Sequence, residues 1–253
     1  MDLPSKLNFN LTSINRQTAP AIFLALAAAG LFFAKDFSYL WLLPLFPLLS
    51  KQRSQLWPLA LFALMPTVLD QTAILFNSTY SYPFLHLFLP LVALWPFWKK
   101  LPPVGSFKLK KPAFQDLVLM LGITLASLFG LYLWQQQNSY SWQLSGSFRL
   151  LPRLVPLLAL VNGFLEELSF RGVIQGLLNR LAGVFWLANG LQALWFGAMH
   201  FQNGFPSGWS GFGLCTAYAL ALGYVRKKTG SLAYCIIMHF AADLLVFYFL
   251  VSS

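Results

Sequence analysis

The sequence predicts an all-α membrane protein, a bundle of eight to nine transmembrane helices around a polar intramembrane active site. Of 253 residues, 58% are hydrophobic and 9% charged, with a mean hydropathy of +0.64, whereas soluble domains carry about 25% charged residues. Long apolar runs recur without two-residue alternation, which favours helices over a barrel. Seventeen Lys and Arg against seven Asp and Glu give a net charge of +10, and the basic residues cluster in short stretches between apolar runs, as cytoplasmic loops do. That placement assigns the charge to membrane topology and argues against nucleic acid as a partner.

Residues 1–18, with Asp2, Lys6 and Arg16, read as an N-terminal cytoplasmic segment leading into an uncleaved first span rather than a signal peptide. The apolar stretches 19–34 and 37–49 are separated by Lys35 and Asp36, and the second contains Pro44 and Pro47. Each is shorter than the about 20 residues of a span, so they form a hairpin or one span plus a re-entrant piece. Residues 56–76 and 84–98 follow, separated by the uncharged NSTYSY. Lys99, Lys100, Lys108, Lys110 and Lys111 around Pro102 and Pro103 mark a cytoplasmic loop. Residues 114–134 form another span, and 135–147 are polar but uncharged, as an outside loop would be. A segment from about 150 to 180 precedes spans at 184–201, 209–225 and 232–251, with Arg226, Lys227 and Lys228 between the last two.

If the first two stretches form a hairpin, the basic residues at Lys51 and Arg53, 99–111, Arg180 and 226–228 share one side. The bundle then has nine crossings, N-terminus in the cytoplasm and C-terminus outside. Arg149 and Arg153 are expected to snorkel at the outer interface. Trp41, Trp57, Trp95, Trp98, Trp134, Trp142 and Trp209 fall mostly near predicted helix ends, as aromatic belts do. Residues 19–253 read as one integral membrane domain without internal repeats, its catalytic part spanning about 150–251.

Charge inside this apolar chain concentrates in residues 162–180, NGFLEELSFRGVIQGLLNR. A charged side chain near the bilayer centre costs roughly 2.5–3.5 kcal/mol, so Glu166, Glu167 and Arg171 need partners or a wet cavity. On an α-helix Glu167 and Arg171 lie roughly 40° apart, while Glu166 points about 140° away from Arg171. Glu167 is thus placed to pair with the arginine, leaving Glu166 free to serve as a general base. The plainer alternative is an ordinary ion pair at a cytoplasmic helix end.

Two further one-turn pairs lie downstream: Phe196 with His200 in LWFGAMHF, and His239 with Asp243 in CIIMHFAAD. The second places an imidazole and a carboxylate on one face, within hydrogen-bonding reach. His86 and Asp70 lack patterned neighbours and read as packing residues, as do Cys215 and Cys235, which have no metal-type spacing. A base, a second proton carrier and an oxyanion stabiliser are what water-driven amide cleavage requires.

Glu166-Glu167-x-x-x-Arg171, Phe196-x-x-x-His200 and His239-x-x-x-Asp243, in that order, resemble the three-motif signature of the CAAX-processing and bacteriocin-processing (CPBP) intramembrane endopeptidases, glutamate-type proteases. The resemblance covers about the C-terminal third of the chain. It implies that Glu166 activates the attacking water with help from His200, and that His239 and Asp243 stabilise the oxyanion. Glu167 and Arg171 would brace the site, and Phe196 would line its cavity. Position 243 is Asp where some relatives carry Asn. The implied partners are the lipid bilayer and a membrane-embedded protein or peptide substrate, prenylated CAAX proteins being one option. No cofactor is implied. A zinc-dependent protease using the same Glu and His residues is one alternative, although H-E-x-x-H is missing; a non-catalytic scaffold or immunity protein of the same fold is another.

At about 1.5 Å per residue, Glu166 lies roughly 20 Å from Arg180, His200 roughly 25 Å from Gly183 and His239 roughly 13 Å from Gly230. For the three to meet, either the helix after Glu166 departs from a straight course or the later helices begin at different depths.

Overall fold

In the computed structural model, the described residues are 83–95, 99, 101, 106–109, 111–138 and 152–252, with single positions at 22, 58, 59 and 62. The expected spans at 19–34, 37–49 and 56–76, the basic pair Lys51 and Arg53, Arg149, Asp70 and the side chain of His86 lie outside them.

Every regular element among the described residues is helical. Helix α1 is Pro83–Leu94 and α2 is Phe114–Asn138. A 3₁₀ turn, Pro152–Leu154, leads into α3, Val155–Glu167, whose early proline suits a helix start because that N–H has no intrahelical acceptor. The chain continues as a π-helix, Leu168–Ile174, and then as α4, Gln175–Ala182. Helices α5, Phe185–Asn203, α6, Gly208–Thr229, and α7, Leu232–Ser252, complete the chain.

These bounds follow the apolar runs closely, because each run ends at a basic cluster, a glycine or a polar stretch. Two helix ends run a turn further than expected: the polar residues Gln135–Asn138, expected in a loop, continue α2, and Arg226, Lys227 and Lys228, expected between two spans, lie in the last turn of α6. The π-helix also differs from the straight α-helix assumed from the sequence. Its i→i+5 winding is wider and therefore rises less per residue, which takes up part of the depth offset between Glu166 and the later motifs.

Helix α5 packs along α6, α3 along α7, and α2 against both α6 and α7. The core between the π-helix, α4, α5 and α6 is apolar, with Phe170, Ile174, Leu178, Ala188, Trp195 and Ala219 all buried. Within it runs a polar layer. Gln175 and Gln192 each donate to Asn189 Oδ1 at 3.0 Å, and Asn189 donates to the Leu220 carbonyl at 3.0 Å. Gln192 reaches the Ala219 carbonyl at 3.1 Å, and Arg226 donates to Gln175 at 3.2 Å. Such bonds satisfy polar groups that lipid could not and tie neighbouring helices together.

Phe114–Asn138 and Leu232–Leu250 are, among the described residues, the two stretches long and apolar enough to cross a membrane on composition. Helices α3 and α4, of 13 and 8 residues, are each too short to cross alone, and the stretch from α3 to α5 carries the inward-facing polar groups Glu167, Arg171, Gln175, Asn189 and Gln192, all fully or almost fully buried. The expected count of eight or nine crossings depends on residues 19–76 and is not reached by the described helices.

Three of the basic stretches do meet at one end of the bundle. The Leu232 amide donates to the Ser106 carbonyl at 2.8 Å, joining the 106–111 loop to the turn at Gly230. Lys228 at the end of α6 pairs with Asp116 in the first turn of α2 at 2.8 Å, each charge complementing its helix terminus. Lys227 lies 4.2 Å from the ring centroid of Phe185, and Trp186 stacks on Tyr224, which brings the turn at Gly183 to the same end. Trp134, expected in an interfacial belt, is instead buried: its indole N–H donates to Ser210 at 3.0 Å and its ring meets Phe205 edge-on. Trp95 and Trp209 are exposed.

Helix α6 approaches the polar layer at Gly223, where an added Cβ would run into the Asn189 amide and lie 2.8 Å from Gln175 Nε2. Overpacking of this kind costs about 1–3 kcal/mol. Gly223→Ala is therefore expected to lower the thermal unfolding midpoint of the detergent-solubilised protein. Gly122→Ala, where nothing lies within 4 Å of the new methyl, should leave it unchanged or raise it slightly. Equal midpoints for the two variants would show that the polar layer does not fix the α5–α6 spacing.

Candidate active site

The site begins where α3 passes into the π-helix. Glu167 Oε1 lies 2.8 Å from Arg171 Nη1, and both side chains are completely buried. The pairing expected from the i, i+4 spacing is therefore present, across π rather than α winding. Phe196 lies beside the pair, with Arg171 Cζ 4.8 Å from its ring centroid. A guanidinium over a ring face in a desolvated setting gains electrostatic stabilisation.

Helix α7 completes the cluster. His239 Nδ1 lies 2.6 Å from Glu167 Oε1 and His239 Nε2 lies 3.2 Å from Glu166 Oε2. One imidazole thus bridges the two adjacent glutamates. Nδ1 is the nitrogen hydrogen-bonded to a carboxylate, while Nε2 stands at ion-pair distance from Glu166 Oε2, which has no hydrogen-bond partner. Helix α7 comes this close because Gly163 on α3 has no side chain: a Cβ there would lie 3.3 Å from the Phe240 nitrogen and 3.5 Å from His239 Cβ.

Two expectations are corrected here. Glu166 is not left free of a partner, since the far nitrogen of the same imidazole reaches it. His239 and Asp243 share a face, but the closest approach is 3.6 Å, from Nε2 to Oδ1, beyond a good hydrogen bond. Asp243 is held instead by Asn162, whose Nδ2 donates to Asp243 Oδ2 at 3.0 Å and to Glu166 Oε1 at 3.1 Å. The two hydrogens of one amide thus hold two carboxyl groups side by side. Asn162 was missed as a site residue, although it lies four residues before Glu166 and so on the same helix face.

His200 stands apart from the carboxylates. Its Nδ1 lies 2.9 Å from the Phe196 carbonyl, an acceptor, so Nδ1 carries the hydrogen and Nε2 of the neutral ring keeps its lone pair. The Phe196 ring connects the two histidines, with centroids 4.7 Å from His200 and 6.0 Å from His239.

A cavity of about 340 Å³ opens between α2, α5, α6 and α7, mostly lined by apolar side chains, with His200, His239 and Asp243 on its wall. Cys215 and Tyr218 also border it. Cys235 is a packing residue, as expected, its thiol on the Leu222 carbonyl at 3.3 Å. His239 is committed at both nitrogens, Glu167 is tied to Arg171, and among the described residues no three His, Cys, Asp or Glu side chains converge in a metal-holding arrangement.

Residues 148–245 match the family model of type II CAAX prenyl endopeptidase Rce1-like proteins. That span contains Asn162, both glutamates, Arg171, Phe196, both histidines and Asp243. No curated protein and no solved structure matches the chain.

Glu167 pairs with Arg171 and Glu166 does not, and this separates the effects of removing each charge. Breaking a buried ion pair by removing one partner costs about 3–5 kcal/mol, so Glu167→Gln is expected to reduce folded yield and thermal stability severely. Glu166→Gln keeps an acceptor for Asn162 and leaves Arg171 paired, and should fold close to wild type. Parallel yield and unfolding measurements on the two variants decide; equal losses would mean that the cluster does not divide in this way.

Proposed function

We propose that this chain, whose residues 148–245 match the family model of type II CAAX prenyl endopeptidase Rce1-like proteins, is an intramembrane endopeptidase in which Glu166 activates the attacking water. The observation that carries the reading is the enclosed group of Glu166, His239, Asp243 and Asn162 beside an apolar cavity with His200 on its wall. Of the three carboxylates, the Glu166 side chain is the most open, 12% exposed against 8% for Asp243 and none for Glu167. Glu167 is consumed by Arg171 and His239, which leaves Glu166 and Asp243 as the candidates for the base, and the resemblance of the three motifs assigns that role to Glu166.

In the proposed reaction a water gives a proton to Glu166 while its oxygen attacks the scissile carbonyl carbon. The lone pair on His200 Nε2 accepts a hydrogen bond from the same water and orients it. Protonation of Glu166 removes the negative charge that draws His239 Nε2 across their 3.2 Å ion-pair contact. That N–H then becomes available to the developing oxyanion. Asp243, held by Asn162, keeps the imidazole and Glu166 in place. Collapse of the tetrahedral intermediate breaks the C–N bond, and the proton on Glu166 passes to the leaving amine. The products are a carboxylic acid, which passes its remaining proton to the amine so that the two leave as carboxylate and ammonium, and Glu166 is restored as a carboxylate.

The cavity suits a substrate segment that lies in the membrane, of which a prenylated CAAX C-terminus is one form. With the N-terminus cytoplasmic, the basic end formed by the 106–111, 183–185 and 229–232 turns faces the cytoplasm.

Membrane peptidomes of cells expressing wild type and Glu166→Gln provide the test. Peptides released by wild type alone identify substrates and support the reading. Identical peptidomes would favour a non-catalytic scaffold or immunity protein. Turnover of an identified substrate should also persist in chelator, because the proposed base needs no metal. Activity lost on chelation and restored by zinc would replace this reading with a metalloprotease.

A further inference from the structure

We infer that Tyr218 is a catalytic residue of this site, its phenol donating a hydrogen bond to the scissile carbonyl oxygen as that oxygen becomes an oxyanion. The inference rests on the endopeptidase reading above and adds a group that none of the three sequence motifs contains.

The wall of the cavity carries six side chains able to form polar contacts: Ser127, His200, Cys215, Tyr218, His239 and Asp243. A substrate oxygen gaining negative charge needs donors, and most of these groups have none to give. The Ser127 hydroxyl donates to the Thr124 carbonyl at 2.8 Å. His200 spends its Nδ1 hydrogen on Phe196. Both nitrogens of His239 face glutamates before the reaction starts. Asp243 accepts from Asn162, and an ionised carboxylate has no hydrogen to donate. Cys215 offers only a weak S–H donor.

Tyr218 is the exception. Its hydroxyl is enclosed and has no hydrogen-bond partner among the described residues. Its ring meets the His239 imidazole edge-on, with centroids 5.7 Å apart and planes at 84°. Buried tyrosine hydroxyls usually find a partner, and leaving one unsatisfied costs stability. The Tyr218 side chain borders the substrate cavity beside the imidazole that contacts Glu166 and Glu167, and its enclosed, unpartnered hydroxyl has nothing to lose by turning toward the cavity to meet an acceptor that arrives with the substrate. A phenol suits the task because it stays neutral at ordinary pH and donates without losing its proton. The bond formed is O–H···O⁻, the proton remains on Tyr218, and the proton balance through Glu166 is unchanged.

The experiment is Tyr218→Phe, which removes one oxygen and keeps the ring against His239. Purified full-length protein in liposomes is given a farnesylated, fluorescence-quenched peptide ending in Cys-aliphatic-aliphatic-X, with Glu166→Gln in parallel. Loss of an oxyanion donor lowers turnover by about 10²- to 10³-fold, so kcat is expected to fall by that factor with KM unchanged. A peptide carrying a tetrahedral phosphonate in place of the scissile amide should lose affinity by a similar factor. The thermal midpoint should stay the same or rise, because the deleted hydroxyl has no partner to lose. Wild-type kcat in Tyr218→Phe overturns the inference while leaving the endopeptidase reading intact. So does a fall in kcat accompanied by a lower midpoint and unchanged phosphonate affinity, which would mark a structural role. Equal cleavage by Glu166→Gln overturns the endopeptidase reading itself and this assignment with it; no cleavage by wild type rules out the prenylated CAAX end as substrate, and the same comparison is then made on a peptide that wild type alone releases in the peptidome test.

Discussion

Arg171 carries a full positive charge in a place where no part of its side chain reaches solvent, and the arrangement of the surrounding helices follows from what that charge requires. Attraction between unit charges grows as the effective dielectric falls, and so does the cost of leaving either one alone. Glu167 meets Arg171, His239 meets Glu167 through one nitrogen and Glu166 through the other, and Asn162 joins Glu166 to Asp243. The chain of contacts is closed enough that α3, the π-helix and α7 cannot slide past one another without exposing a charge. Phe196 extends it to α5 by packing on Arg171 and facing both histidines.

The π-helix has its role in this closure. It places Arg171 beside Glu167 and presents Phe170 edge-on to Trp195 and Phe196. π-helical segments are rare and frequently occur at functional sites. Here the seven residues from Leu168 to Ile174 include Arg171, all but Leu168 buried. Further along, Gln175 opens the polar layer with Asn189 and Arg226. Two separate polar systems therefore anchor this stretch of chain, one around Arg171 and one around Gln175.

Much of this was readable in the residues. Helix limits from Phe114 onward were visible because apolar runs end at basic clusters or glycines, and the Glu167–Arg171 pair was visible because one-turn spacing puts two side chains on one face. The same rule failed for His239 and Asp243 for a physical reason. Spacing within a helix says which groups share a face, but not which acceptor a neighbouring helix brings closer, and α3 offered two glutamates. Asn162 carried a signal in its one-turn distance from Glu166. Gln175, Asn189 and Gln192 carried none, since each is a lone polar residue whose partner is distant in sequence. Tyr218 was likewise hidden, because an aromatic in an apolar run reads as packing until its hydroxyl is seen without a partner. The π winding also has no residue pattern that sets it apart from α.

Two glutamates adjacent in sequence thus occupy different electrostatic positions, and the difference comes from geometry alone. Successive residues on a helix point about 100° apart, so one carboxylate faces the interior and meets Arg171 while the other turns toward Asn162 and the more open side. The imidazole of His239 spans the gap and senses both. Glu167 has a fixed cationic partner, and its bond to His239 Nδ1 at 2.6 Å is the shorter of the two. The Glu166 contact is longer and its carboxylate has no guanidinium to hold it, so a change in protonation there is the one the imidazole can follow. In the proposed reaction that asymmetry lets a single proton move from water to Glu166 and, by weakening one ion-pair contact, frees a donor for the carbonyl oxygen at the moment it becomes negative.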